Sequence, residues 1–200
     1  SKWENQFGEK TAALIAAHSN KPANVTVRSN PLLGGLTKKD LSEVNATQID
    51  GYEDFFEVQK LPIEALNSGR CYAQDPSTSI APCSLNPQST DVVLDACASP
   101  GGKTAIIAAK MSNQGKIIAA DVDGPRSDRL NQNLERLGIE NTEVISGDLR
   151  DEENKLKNKK LLFDKILLDV PCSNSGVFRR RPDAKWRLLP NSTKDMTKLQ

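Results

Sequence analysis

The stretch "LDACASPGGKT", residues 94–104, places an acid and a cysteine at the end of one apolar run, then a proline and two glycines, then a lysine. The run that leads into it, "DVVLDA" at 91–96, is apolar without alternation, as expected for a parallel strand covered on both faces. "GGKTAIIAAKM" then reads as a helix packed closely against that strand. Pro100, Gly101 and Gly102 strip side chains from the strand-to-helix turn, so a ligand is expected to approach bare backbone and the helix N-terminus there. Neither G-x-G-x-x-G nor G-x-x-x-x-G-K-[ST] occurs, because "ACASPGGKT" lacks the first glycine of the phosphate loop, and an ATP or GTP site is disfavoured.

Downstream, the strand-then-helix pattern repeats. "KIIAAD" at 116–121 is a second buried strand ending on an acid. Pro125 then opens a helix with Leu130, Leu134 and Leu137 on one face and Gly138 at its C-terminal cap. "TEVIS" is a third strand, leading into Gly147-Asp148, and the charged stretch 151–160 reads as a solvated connection. "FDKILLDV" is a fourth, ending on Asp169 before Pro171-Cys172. Alternation of this kind predicts an α/β class with a parallel sheet and right-handed crossovers. Ligands of such sheets bind at the carboxyl ends of the strands, near the point where strand order reverses. Asp95, Cys97, Asp121, Asp148, Asp169 and Cys172 all fall at or just after those ends. Asp121 is placed to accept hydrogen bonds from both hydroxyls of a ribose, or else to cap a helix. A loop without phosphate-reading residues, followed by a ribose-reading acid, suits a nucleoside carrying a charged amino-acid tail. S-adenosylmethionine has that form, with Asp148 where the adenine amino group would lie.

Composition sets the frame around this unit. Hydrophobic residues make up 37% and charged residues 26% of the 200, ordinary for a folded domain. No apolar run approaches the ~20 residues of a membrane helix, and "SKWENQFGEK" lacks a signal peptide's apolar core, so a cytoplasmic location without membrane contact is expected. Four cysteines without C-x-x-C spacing and a single histidine, His18, leave little ligand supply for a metal, and none is expected. Residues 1–90 carry 8 Lys+Arg against 10 Asp+Glu, whereas 91–200 carry 19 against 16. The excess gathers at "RRRPDAKWR", 179–187, which points to a local anionic partner such as nucleic acid. Before residue 75 the patterns are short. They comprise a helix through Leu14–Ala17, a β-branched run at 25–30, a helix near "LTKKDLSEV" capped by Thr37 with Asp40, a strand at 55–59 and a short helix at "PIEALNSG". The expected organisation is a small α+β domain over 1–75 and the α/β domain over 76–200.

Taken together, "YAQDPST", "LDACASPGGKT", "AADVDGPR", "NLERLGIEN", "SGD" and "ILLDVPCSNSGVFRRRPDAKW" closely resemble the RsmB/Nop2/NSUN family of RNA cytosine-C5 methyltransferases. The resemblance covers about 70–200 in order, with a looser match of "RSN" at 28–30 to that family's "RVN" in an N-terminal RNA-binding region. It implies a Rossmann-like S-adenosylmethionine methyltransferase sheet and RNA as substrate, ribosomal before transfer RNA. It further implies that Cys97, Ala98, Ser99, Pro100, Gly101, Gly102 and Lys103 line the cofactor pocket. Asp121 would lie on the ribose, Asp148 near the adenine, and Asp169 close to both methyl donor and cytosine. Lys103 is implied to reach the target nucleotide or to order the acids; from spacing alone it reads equally as a surface helix lysine. Arg179, Arg180, Arg181, Lys185 and, by the looser match, Arg28 are the implied RNA contacts, with Trp186 either stacking or packing inward.

Members of the family add a thiolate to C6 of cytosine, which makes C5 nucleophilic towards the methyl group. In that pattern the Pro-Cys-Ser cysteine, here Cys172, helps release the adduct, and the attacking cysteine belongs to a later Thr-Cys motif. No Thr-Cys pair occurs in these 200 residues. The expectation is therefore a fragment whose nucleophile and flanking strands lie beyond Gln200, which leaves "ILLDV" as an exposed apolar edge and the chain inactive by itself. Two alternatives stay open: Cys172 as the attacking thiol, and a non-catalytic module that binds S-adenosylmethionine and RNA. Asn174 stands where the pattern has a small residue, and it tolerates the left-handed backbone that the loop would require.

Overall fold

The computed structural model describes residues 2–150, 162–187 and 192–200. They form two compact units, residues 25–169 and a unit that joins the two ends of the sequence, 1–24 with 170–200. The boundary expected at 75–76 falls inside the larger unit, and the expected connection at 151–160 lies outside the described residues.

The first sheet of the larger unit contains β1 (Val25–Ser29), β2 (Thr47–Ile49), β3 (Tyr52–Val58) and β4 (Cys71–Ala73) in the antiparallel order β2-β3-β1-β4. Its alternation places Val27, paired with Phe56, and Val58 in an apolar cluster with Val44, Ala65 and Cys71. Arg28, one residue along, is paired with Phe55 and Tyr72 on the opposite face. Helix α1 (Lys38–Glu43) of this unit starts in a capping box, where Asp40 N–H donates to Thr37 Oγ1 at 3.1 Å and Thr37 N–H donates to Asp40 at 2.8 Å. Helix α2 (Ile63–Asn67) follows the third strand. Strands β1 to β4 thus form a sheet of their own over residues 25–73.

The second sheet is wholly parallel: β5 (Val92–Asp95), β6 (Lys116–Asp121), β7 (Thr142–Ser146) and β8 (Lys165–Leu167), in the order β7-β6-β5-β8. The chain steps outward from β5 to β7, then returns to the other side of β5, so strand order reverses between β5 and β8. Helices α3 (Ile80–Ser84), α4 (Gly102–Lys110) and α5 (Pro125–Arg136) belong to the same unit. Ile107 and Met111 at the end of α4, with Leu130, Leu134 and Leu137 along α5, pack with Val93 and Ile117 in one core. Leu94, Ile118, Ala120 and Ile145 fill a second cluster, in keeping with strands buried on both faces. This is a Rossmann-like α/β sheet. Gly138, with φ 66°, ends α5 as its sequence requires. β8 is an edge strand shorter than its apolar run, and Ile166 and Leu168 are exposed there.

Long-range hydrogen bonds tie the two sheets of this unit together. Asn30 Nδ2 donates to Gly69 O at 2.8 Å and to Leu137 O at 2.9 Å, and Arg136 donates to Leu66 O. Gly69, with φ 75°, has no room for a side chain, since a Cβ there would lie 1.8 Å from Arg136 O.

The terminal unit contains α6 (Lys2–Phe7), α7 (Glu9–Ser19), α8 (Ala184–Arg187) and α9 (Ser192–Leu199). Trp3 packs on Phe178 with ring centroids 6.2 Å apart. Among the described residues no helix is long and apolar enough to cross a membrane.

Candidate functional site

The carboxyl ends of β5, β6 and β8 bring a set of acids together. Asp95, fully buried, accepts a 2.7 Å hydrogen bond from Thr104 Oγ1 through Oδ2, while its Oδ1 has no partner. Burial pushes this carboxyl up to about 6; the Thr104 bond and Lys103 oppose the shift, and Asp169 and Asp121 add to it. Asp121 is also buried, but its charge is met: Ser99 N–H donates to Oδ2 at 2.8 Å, and Arg126 donates from Nε to Oδ1 at 3.0 Å and from Nη2 to Oδ2 at 3.2 Å. That two-pronged pairing is the strong geometry for a carboxylate. Asp169 follows β8 and stays half exposed, held by Lys103 Nζ at 2.5 Å. Lys103 therefore contacts an acid of this group. The Cys97 thiol lies among these groups, and burial, followed by Asp121, Asp95 and Asp169, raises it above the ordinary thiol range.

The turn is also packed against the rest of the protein. At Gly101 and Gly102 other side chains stand close to where a Cβ would lie. A Cβ at Gly101, where φ is 101°, would lie 3.1 Å from Leu130 Cδ1, and one at Gly102 would lie 3.0 Å from both Gln74 Nε2 and Tyr72 Cε1. What the turn presents instead is its conformation: Ala98 N–H is bonded to Ala120 O at 3.0 Å, and Gly101 N–H to Ala98 O at 2.7 Å. Ser99 Oγ donates to Arg126 O at 2.8 Å and Asn133 donates to Pro100 O at 2.8 Å. Ala98, Ser99 and Pro100 thus form a rigid bridge between β5 and α4.

Not every expected residue joins this group. Asp148 is bonded to Arg150, which holds it down to about 2. Arg28 is only 3% exposed, with Nε donating to Gln74 Oε1 at 2.9 Å, so it is part of a cavity wall and does not belong to an open basic surface. Arg126 is the member that sequence reading missed. Its signal was its place in the first turn after Pro125, five residues beyond Asp121.

In the terminal unit, Cys172 is exposed, and Asn174 N–H points to its sulfur at 3.4 Å. Asn174 has φ 58°, the left-handed conformation expected of it. Cys172 lines a cleft of about 270 Å³ with Arg181, Arg187, Asp183 and Met196. The basic run divides here. Arg179 donates to Pro22 O at 2.7 Å and contacts His18 Nε2 at 3.2 Å, Arg180 donates to Asn24 O at 3.1 Å, and Lys185 donates to Ser19 O at 3.3 Å. These three meet carbonyls at and beyond the C-terminal end of α7, where cations are favoured. Trp186 is 87% exposed, so it does not pack inward.

Three carboxylates against one lysine and one arginine leave the strand-end group anionic, with one buried oxygen unsatisfied. Such a set fits a cationic nucleoside such as S-adenosylmethionine and repels a nucleoside triphosphate.

Comparison with known proteins agrees with this fold. The model of the family described as 16S rRNA methyltransferase RsmB/F matches residues 82–200. The chain is 40% identical over 143 residues to ribosomal RNA small subunit methyltransferase B of Sodalis glossinidius (strain morsitans), covering 72% of this chain and 32% of that protein. It is 33% identical over 207 residues to the protein of that name from Enterobacter sp. (strain 638), covering 100% of this chain and 46% of the other. The chain thus spans less than half the length of these relatives. The crystal structure of PH0851 superposes with a TM-score of 0.89 at 28% identity, over 98% of this chain and 46% of that one.

Proposed function

The chain belongs to the 16S rRNA methyltransferase RsmB/F family, and on that premise we propose that it is the cofactor-binding part of an RNA (cytosine-5)-methyltransferase acting on ribosomal RNA. A ribosomal substrate goes with a cytoplasmic location. The observation that carries the reading is the acid group at the β5/β8 reversal, with Asp121 buried and Asp169 held at the rim by Lys103. S-adenosylmethionine, held by Asp121 and the Cys97–Lys103 turn, supplies an electrophilic methyl group. Asp121 accepts from the ribose hydroxyls when Arg126 gives way. Lys103 positions Asp169, whose exposed carboxylate faces the base and the methyl donor. Asp148 contributes to the adenine once it is released from Arg150.

On the RNA side, Arg181 and Arg187 in the Cys172 cleft hold phosphates, and the remaining donors of Arg179, Arg180 and Lys185 extend that contact. Arg28 contributes from its cavity and not from the basic run. A thiolate would add to cytosine C6, C5 would take the methyl carbon as that carbon's bond to the sulfonium sulfur breaks, a base would take the C5 proton, and the C6–S bond would break to return the thiolate. The attacking thiol comes from a Thr-Cys motif outside these residues, with Cys172 assisting release. A second reading, in which Cys172 itself attacks, is favoured by the two arginines in its cleft and the amide pointing at its sulfur.

The test is calorimetry with S-adenosylmethionine, followed by trapping with RNA that carries 5-fluorocytosine. The first reading expects cofactor binding and no covalent RNA adduct from these 200 residues. An adduct lost in Cys172→Ser supports the second reading. A folded chain that ignores S-adenosylmethionine refutes both.

A further inference from the structure

A cavity of about 410 Å³ lies away from the strand-end acids, against the face of the first sheet opposite its apolar cluster. Residues of α3 and α4 form its other wall. Arg28 lines it, almost wholly buried, and satisfies only Nε by donating to Gln74; its Nη2 is buried without an acceptor. Burial lowers this guanidinium to about 10 against the pull of Asp54, so it remains charged at neutral pH. A buried charged donor without an acceptor is costly, and a ligand that brings acceptors to it would recover that cost. Glu53 and Asp54, both exposed, line the cavity as acceptors, and Lys110 joins them. Two cations and two anions balance, so neither a phosphate nor a free cation is the natural occupant. Tyr52 and Phe55, edge to face with centroids 5.7 Å apart, also line it, so part of its wall is aromatic.

The matching chemistry is a flat neutral ring with two adjacent acceptors on one edge and two adjacent donors on another. Among the RNA bases only guanine has that pattern: O6 and N7 accept, and N1–H and the N2 amino group donate. Adenine places a donor beside N7, and pyrimidines lack the paired donors. We propose that this cavity reads an unpaired guanine of the bound RNA, with Arg28 donating to O6 and N7 and the Glu53/Asp54 pair accepting from N1 and N2. The proposal rests on the reading of RNA as substrate, and it gives that RNA a base requirement separate from the methylated nucleotide. Recognition of splayed single-stranded bases by Arg forks and aromatic rings is the usual route to sequence choice in RNA.

The experiment titrates the 200-residue chain with guanosine 5′-monophosphate and adenosine 5′-monophosphate, following tyrosine fluorescence and calorimetric heat. The guanine nucleotide should bind about tenfold more tightly, the discrimination of one good two-pronged contact. Glu53→Ala combined with Asp54→Ala, at exposed positions that keep the fold and without any side-chain acceptor, should erase the preference; so should Arg28→Lys, which retains charge but loses the fork. Equal binding of the two nucleotides overturns the proposal. So does a preference that survives in the double variant, or full displacement of the guanine nucleotide by inorganic phosphate. An RNA oligonucleotide that carries an unpaired guanine reports on the RNA reading separately. If it binds no more tightly than guanosine 5′-monophosphate while the guanine preference holds, the substrate reading falls and the base pocket stands.

Discussion

Asp95→Asn isolates the electrostatics of the site. Asp95 is raised from an ordinary 3.8 to about 6 because it is buried with only the Thr104 hydroxyl as partner. A carboxyl with a raised folded value binds its proton more tightly folded than unfolded. Its contribution to stability is therefore fully present below about pH 4 and is lost as pH rises through 6. About two units of displacement correspond to roughly 3 kcal/mol, and the part lost between pH 4 and pH 8 is about 2 kcal/mol or slightly more. Asparagine keeps the shape and cannot ionise. Urea unfolding of both proteins at pH 4 and pH 8, followed by circular dichroism, should show the variant gaining on the parent by that amount at the higher pH. Lys103, Asp121 and Asp169 face the same carboxyl and are common to both proteins, so they largely cancel in the comparison. Parallel pH dependence in the two proteins would refute the argument.

Other outcomes follow from single contacts. Asp121→Ala should weaken S-adenosylmethionine by about 1.5–3 kcal/mol, the range for hydrogen bonds to a charged group, and unchanged calorimetric affinity would contradict the ribose assignment. Gly69→Ala meets Arg136 O at 1.8 Å and a φ of 75°, so thermal unfolding should show a loss of about 2–5 kcal/mol. Ile166→Glu at the exposed edge should change stability by less than about 0.5 kcal/mol while reducing light scattering of concentrated solutions.

The sequence made the second sheet legible because its signals are local. "KIIAAD" covers β6, and Pro125, the leucines and Gly138 mark α5 from start to cap. The acids at strand ends were legible for the same reason, since a short apolar run names its last residue. Three-residue strands such as β2 and β4 carry too few side chains to show alternation, and they exist through pairing with β3 and β1. The roles of Gly102 and Arg179 were hidden for a different reason. Gly102 answers to Tyr72 and Gln74, and Arg179 to carbonyls near the other end of the chain, and no sequence window contains both partners. The basic run looked like one surface because charge is visible in a sequence and hydrogen-bond partners are not.

Arg126 gives Asp121 a counter-ion before any ligand arrives. A carboxylate buried beneath a rigid turn can thus form during folding without waiting for its nucleoside. On the proposed reading, ligand entry exchanges one set of donors for another, so the loss of the guanidinium offsets part of what the ribose hydroxyls contribute. The same guanidinium stands ready to retake its seat as the product departs.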